Sequence, residues 1–530
     1  MKSFIFSLLL AFYSLGIVAQ SSSTPECWYN MDPKDDKLMG VSSNKTYQEL
    51  LQDREAKPVV IAIIDGGTDI YHEDLQGIIW VNEGEIPDNG IDDDKNGYID
   101  DIHGWNFIGN SEGENIVNAN MEVTRIYRLL DTKYASADST ENADNEEYKL
   151  YLECKKTVEK EVTNAEKLLE TLYVLEENLH FADSIMSIYF GTTEYTEKDL
   201  KSVKSSKLQS LTDFLLYWRE KGITVKEVKE EITRTETKFK YRYNINFNPR
   251  EIIGDDWTKN DNPYYGNNEV KGDRAHHGTA VAGNVAALRN NGIGVDGVAN
   301  NAILMIIRVV PDGDEYDKDV ANAILYAVHN GASIINLSFG KEYSPQKHFV
   351  DSALRIANDY DVLIVHAAGN DASNNDEVEN FPLNYDDNGN PINSKFLVVG
   401  ASTKNKGKDL VAPFSNYGQK TVDLFAPGMR IYSCKPENKY SYSDGTSMAS
   451  PIAAGVACII RSYFPELTAE EVKEILMLSV TKYDKKVWVP NSSYDKKSRE
   501  KKKFSTLSVS GGIINAYNAV KLAMEKTANN

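Results

Sequence analysis

The sequence predicts an α/β fold in three layers, with a mostly parallel central sheet and a separate helical insertion. Three observations carry this. Unbroken apolar runs of strand length recur along the chain. Amphipathic stretches of helical length lie between them. The stretch 117–247 has a different period altogether.

The runs are Val59–Ile64, Ile303–Val310, Ser333–Ser338, Val362–Ala368 and Phe396–Gly400. Strands that are apolar on both faces belong to a parallel sheet covered by helices on each side. The covering helices are expected at His277–Leu288, Asp319–Asn330 and His348–Asp359. In such sheets ligands bind beyond the carboxyl ends of the strands. Asp65, the Ser338-Phe339-Gly340 turn and Gly369-Asn370 all fall there.

At 530 residues the chain has room for a large core and an insertion. Its 58 basic and 79 acidic residues leave a net charge of −21. That balance argues against nucleic-acid phosphate or an anionic membrane as partner. The first residues, Met1-Lys2-Ser3, precede an apolar run from Phe4 to Val18 and a small residue, Ala19. One positive charge, a short apolar stretch and a small residue describe a secretory signal, and the run is short for a membrane anchor. We therefore expect residues 1–19 to be a signal peptide, leaving no membrane span after its removal. The product is then periplasmic, cell-surface or extracellular. No Leu-x-x-Cys pattern leads to Cys27. The four cysteines, Cys27, Cys154, Cys434 and Cys458, form no CxxC pair, and no disulfide framework is expected.

Residues 20–57 are polar and carry no large folding unit. The catalytic domain is expected in two parts, 58–116 and 248–525, around the insertion 117–247. Within it Tyr151, Val158, Ala165, Leu172, Leu179 and Met186 recur every seventh residue, and Leu168, Leu175 and Ala182 form a second row. This predicts a long helix with an apolar seam, then at least one more helix between Glu197 and Thr237. A hairpin docked on the core or on itself is the plain reading. A partner-binding surface or substrate-gating arm is the alternative. The Lys-, Ser- and Asp-rich stretch 485–503 reads as a solvated loop, and Gly511-Gly512-Ile513-Ile514-Asn515-Ala516-Tyr517 opens a last amphipathic helix.

Three short segments carry the chemistry. They are Ile61-Ala62-Ile63-Ile64-Asp65-Gly66-Gly67, His277-Gly278-Thr279-Ala280-Val281-Ala282-Gly283 and Gly445-Thr446-Ser447-Met448-Ala449-Ser450-Pro451. A serine nucleophile needs a base for its proton, and the base needs an orienting carboxylate. The order Asp, His, Ser in these surroundings resembles the subtilisin-like serine proteases. The resemblance covers residues 58 to about 115 and about 250 to 525, and not the insertion. It implies the subtilisin-like version of the three-layer fold and a secreted serine endopeptidase acting on protein or peptide substrates.

By that resemblance Ser447 is the nucleophile, at a helix start where backbone N–H groups and a partial positive charge face the reacting carbonyl. Pro451 is expected in the first turn, where a missing donor is harmless. His277 is the general base, chosen over His276 by the Gly278-Thr279 that follows. Asp65 orients it, with Asp69 and Asp74 as alternatives that do not end the strand. Asn370, in Ala367-Ala368-Gly369-Asn370, is the oxyanion donor. Ser338, Phe339 and Gly340 form one wall of the first specificity pocket and pair with substrate backbone by strand addition. Ala368 and Gly369 line the opposite wall. Two departures stand out: relatives usually have Ser or Thr at Gly66 and a second His at Ala280. Many also carry a prodomain before the Asp strand, for which residues 20–57 leave no room.

A second signal is Asp92-Asp93-Asp94-Lys95-Asn96-Gly97-Tyr98-Ile99-Asp100-Asp101. Oxygen ligands at alternate positions followed by glycine match the start of an EF-hand-type calcium loop. Asp92, Asp94 and Asn96 would give side chains, Tyr98 its carbonyl, and Asp100 a direct or water-mediated contact. The twelfth position is His103 rather than Glu, so Asp101 is the nearest candidate for the missing carboxylate. A structural calcium is therefore expected. The competing class is a non-catalytic peptide- or protein-binding protein on the same scaffold. Such a protein would most often have lost Asp65, His277, Ser447 or Asn370, and all four are present.

Overall fold

The structure is a computed structural model that describes residues 25–138, 141–491 and 499–528. The expected signal peptide lies outside the described residues. Backbone proximity divides the chain into two compact units. One is Asn118–Asn248, and the other joins Thr24–Val117 to Pro249–Asn530.

In chain order the strands of the larger unit are β1 (Val59–Asp65), β2 (Gly104–Asn106), β3 (Ala302–Arg308), β4 (Ile334–Leu337), β5 (Leu363–Ala367), β6 (Phe396–Ser402) and β7 (Leu424–Pro427). The hairpin β8 (Ile431–Lys435) and β9 (Lys439–Ser443) follows, then β10 (Thr481–Lys482), β11 (Lys486–Trp488), β12 (Lys501–Lys503) and β13 (Gly512–Ile513). The main sheet runs β10-β13-β7-β6-β5-β4-β1-β3-β2. Every pairing in it is parallel except β10 with β13.

Each apolar run expected as a strand contains one. Ile61, Ile63, Leu304 and Val365 point to one face, packed with Val285, Ile452 and Val456. Ile64, Ile307, Leu337 and Ile364 point to the other, against Ile324, Ala327 and Leu354. Burying one such side chain contributes about 1.5–3 kcal/mol, so the two faces fix the register of every central strand. The helices His276–Ala286 and Thr446–Tyr463 cover the first face, and Asp317–His329 and Lys347–Asp359 the second. Helix boundaries move by one or two residues from the expected ones, where end turns fray.

The segment before β1 differs from its polar composition. Trp28, Tyr29, Met39, Val41 and Leu51 are buried, and Ser43–Glu49 is a short helix. The Trp28 indole N–H donates to the Arg430 carbonyl (3.1 Å). The Ala516 N–H donates to the Val41 carbonyl (2.7 Å). These apolar residues are too widely spaced to show a period, so pattern reading passes over them.

The smaller unit is helical. Its long helix spans Glu146–Phe190, 45 residues. The Asn145 side chain accepts from the Glu147 and Tyr148 N–H groups at one end, and Gly191, at φ 70°, ends the other. All six residues of the first expected row are buried, as are Leu175 and Ala182 of the second. Leu172, Leu179 and Met186 pack with Leu215, Trp218 and Val228 from two shorter helices, Gln209–Arg219 and Val225–Thr237. Among the described residues, no helix is long and apolar enough to cross a membrane.

Candidate active site

The parallel sheet delivers three site segments to the carboxyl ends of its strands. Asp65 ends β1, Leu337 ends β4 just before Ser338, and Ala367 ends β5 just before Ala368-Gly369-Asn370. His277 and Ser447 are each the second residue of their helix.

Asp65 is 3% exposed. Its Oδ1 accepts from the Gly66 N–H at 2.7 Å. His277 Nδ1 lies 2.9 Å and 2.8 Å from its two oxygens. A carboxylate only accepts, so Nδ1 carries the proton and Nε2 is left as the free base. The backbone N–H thus serves the carboxylate where relatives have a hydroxyl. A Cβ on Gly66 would stand 2.9 Å from the Val310 carbonyl, so the tight turn back to β3 accounts for the glycine. A Cβ on Gly278 would stand 2.2 Å from the Gly67 carbonyl, so the His277 helix presses directly on the Asp65 turn.

Burial pushes the His277 imidazole down. The charge and hydrogen bond of Asp65 outweigh this, Lys435 opposing them, and the net shift is upward from the ordinary histidine value. The alternatives have other tasks. Asp69 pairs with Lys271 at 3.0 Å, and Asp74 accepts from the Val295 N–H at 2.9 Å. The His276 carbonyl accepts from Lys435 Nζ at 3.3 Å.

Ser447 is 9% exposed. Pro451 is the sixth residue of its helix, not a first-turn residue as the sequence suggested. Its missing N–H leaves the Ser447 carbonyl without the usual helical donor. The Ser338 hydroxyl supplies one at 3.0 Å. Ser338 Oγ in turn accepts from Asn336 Nδ2 (2.8 Å), and Asn336 Oδ1 accepts from Ser450 Oγ (2.5 Å). This buried chain ties the Ser447 helix to β4. The Ser338 side chain is committed to it.

Asn370 Oδ1 accepts from the Thr446 N–H (2.8 Å) and Oγ1 (3.1 Å), which turns its Nδ2 the other way. A Cβ placed on Gly445 would lie 2.7 Å from Ser447 Oγ, 3.6 Å from the Ser447 nitrogen and 3.8 Å from Asn370 Nδ2. Ser447 Oγ and two nitrogens that can donate therefore border one small space, which glycine at 445 leaves open. The loop is held from behind: the Gly369 N–H donates to Thr446 Oγ1 (3.1 Å), and Asn416 Oδ1 accepts from the Asp371 and Ser373 N–H groups.

The model of the subtilase family matches residues 56–496. This chain belongs to the subtilase family. Subtilisin DY of Bacillus licheniformis is 37% identical over 209 residues, 39% of this chain and 70% of that protein. The cell wall-associated protease of Bacillus subtilis (strain 168) is 38% identical over 215 residues, 40% of this chain but 22% of that protein. The thermostable alkaline protease of Halalkalibacterium halodurans is 35% identical over 210 residues, 53% of its length. Among solved structures, a protease from Pseudoalteromonas arctica shares 30% identity, with a TM-score of 0.37, over 47% of this chain and 70% of that one. The subtilase is thus a serine-type endopeptidase by family, carrying an insertion within the matched span.

The subtilase's acidic loop gathers in part as the sequence suggested. Asp92 and Asp94 come together with Glu85, each offering an oxygen within 4.8 Å of the others. Glu85 lies outside the loop motif, and its signal, a carboxylate after Gly84, is not distinctive. Its carboxylate accepts from the Asp93, Asp94 and Asp100 N–H groups. Asn96 stays beside them through its amide on Asp94 (3.1 Å). Asp100 turns away to accept from the Asn89 and Gly90 N–H groups. Asp101 is buried, accepting from Tyr326 OH (2.5 Å) and Asn82 (2.7 Å), and burial pushes its carboxyl up to about 6. The Tyr98 ring packs on Trp105, Phe107 and Tyr326. Glu85, outside the motif, is thus the third carboxylate gathered with Asp92 and Asp94, while Asp101 stays tied to the loop by the Asn96 amide (3.1 Å).

Proposed function

We propose that this subtilase is an exported endopeptidase that hydrolyses peptide bonds through an acyl-enzyme on Ser447. The observation that carries the reading is the Asp65–His277 pair together with the donor-lined space beside Ser447 Oγ. His277 Nε2 takes the Ser447 proton as Oγ bonds to the substrate carbonyl carbon. The Ser447 and Asn370 N–H donors hold the resulting oxyanion. The C–N bond then breaks as the same proton passes from His277 to the leaving amine. Water enters, gives a proton to His277 and adds to the ester carbonyl. Ser447 Oγ leaves with that proton and the acid product departs. Asp65 keeps the ring oriented and stabilises its protonated form throughout. Peptide substrates would lie between the Ser338-Phe339-Gly340 and Ala368-Gly369 segments.

Labelling by a fluorophosphonate tests the chemistry. We expect wild type to label and Ser447→Ala to lose both labelling and, on the order of 10⁶-fold, turnover. A wild type that stays unlabelled beside a labelled control protease would favour the non-catalytic binding scaffold. Labelling that survives Ser447→Ala would mean another nucleophile.

The loop fits a structural calcium, because its donors are all oxygens and three are carboxylates whose oxygens lie within 4.8 Å of one another. Glu85, Asp92 and Asp94 would hold the ion, with Asn96 beside them. The ion would neutralise their repulsion. Chelation by EGTA should lower the melting temperature and added calcium restore it, with Asp92→Asn insensitive to both. Identical melting with and without calcium would remove the ion from the reading.

A further inference from the structure

Resting on that serine-protease reading and on its two substrate walls, we infer that Asn380 closes the first specificity pocket and restricts the residue on the acyl side of the cut bond to Gly, Ala or Ser.

Each wall segment carries a glycine that lies near the same side chain. A Cβ built on Gly340 would meet Asn380 Oδ1 at 2.7 Å and Nδ2 at 2.8 Å. A Cβ built on Gly369 would meet the Asn416 amide first and Asn380 Cγ at 3.4 Å. The Asn380 amide therefore borders both walls, pressed against Gly340 and in ordinary contact range of Gly369. A substrate side chain that enters between Gly340 and Gly369 ends on this amide.

The amide is fixed rather than free to swing aside. Its Nδ2 lies 3.3 Å from His366 Nε2 and 3.3 Å from the Ala367 carbonyl. His366 is 1% exposed, and burial holds it down to about 4, so it stays neutral and its Nε2 can accept. Pairing of the next residue adds to this: the Phe381 N–H donates to the Lys341 carbonyl at 2.9 Å, clamping Asn380 to the Gly340 wall. Both amide atoms lie about equally near Gly340, and with Nδ2 engaged elsewhere Oδ1 is the one left to meet a substrate group. An apolar ring pushed onto it would strip water from a carbonyl oxygen and give nothing in return.

Behind the amide lies a cavity of about 250 Å³, with Asn380, His366, Leu383, Phe396 and Val398 in its lining. Asn380 thus borders both the wall segments and this space. Its removal joins the two and deepens the pocket.

The test compares two peptide series, identical except for Ala or Phe at the acyl-side position, with active enzyme counted by fluorophosphonate titration. Wild type should prefer Ala over Phe in kcat/KM. Asn380→Gly should shift the Phe/Ala ratio toward Phe by about tenfold or more, as the added space of several methylenes allows. Asn380→Ala, which keeps ordinary backbone freedom if the glycine variant folds poorly, should shift it in the same direction by less. Asn380→Gln, which lengthens the amide, should shift it toward Ala. A labelled wild type that prefers Phe, or a Phe/Ala ratio unmoved in the folded Gly and Ala variants, overturns this inference alone. A wild type that does not label overturns the serine-protease reading beneath it.

Discussion

In the catalytic unit, Asn336, Ser338, Ser447 and Ser450 share a buried chain of hydrogen bonds, and Arg250 pairs with Asp319, both almost inaccessible. In the helical unit, the long helix buries a seam of apolar and tyrosine side chains. Ion pairs of that unit such as Lys240–Glu236 and Lys229–Glu176 meet at the surface, with Glu122–Arg125 a buried exception. The difference lies in what a single side chain decides. Exposed pairs contribute about 0–1 kcal/mol each and are interchangeable. A buried donor or acceptor has no water to replace a lost partner, so its loss changes geometry as well as stability. Specific chemistry should therefore respond to point changes in the first unit, and only robustness to those in the second.

Asn370→Ala presses hardest on this contrast. It removes one of two donors beside Ser447 and should cost about 10²–10³ in kcat, with KM little changed. A loss confined to KM would mean that Asn370 binds substrate rather than the oxyanion. Leu172→Ala probes the other side. Opening of the long helix, read by hydrogen exchange across 146–190, should become easier by about 2–5 kcal/mol. Hydrolysis of a small peptide should be unchanged. A large fall in that rate would break the separation between the units.

Lys435→Met is the finest test, because Lys435 sits where structure and titration meet. Its Nζ donates to the His276 carbonyl and to Ser443 Oγ, at 2.9 Å for the latter. His277 must be neutral to take a proton, so activity falls as pH drops through its pKa. Asp65 raises that pKa and Lys435 lowers it. Removing the cation should move the acid limb of kcat/KM to higher pH, and Lys435→Arg should hold it in place. The stability linkage has the matching sign. A histidine raised on folding contributes stability below its unfolded pKa and loses it as pH climbs through the folded one. An acid limb unmoved in Lys435→Met would reduce Lys435 to a strut.

Much of this is legible from residue order. The strands announce themselves because both faces of a covered parallel sheet must be apolar. The long helix does so because its seam repeats every seven residues. Asp65, His277, Ser447 and Asn370 stand in short segments whose glycines are needed for close approach, as the crowding at Gly278 and Gly445 shows. What escapes depends on distant partners. Glu85 joins Asp92 and Asp94 across a turn, with no spacing rule to foretell it. Asn380 has no motif, and its importance comes from two glycines about forty and eleven positions away that converge on it only in the folded sheet. Trp28 and Tyr29 lie in a polar stretch whose partners come from residues far along the chain. Sequence places Pro451 in a harmless first turn because it does not reveal that Ser338 replaces the donor Pro451 lacks.

The seam between the early segment and the last helix also bears on biogenesis. Asn515 donates to Ser42 Oγ at 2.9 Å across 473 residues, next to the contact of Ala516 with Val41. A polypeptide emerging in order from ribosome or translocon has made Asp65, His277 and Ser447 before that seam can close. The contacts that join residues 41–42 to 515–516 can therefore form only when residue 516 has left the tunnel. This seam closes after every strand of the central sheet from β1 to β7 has already emerged.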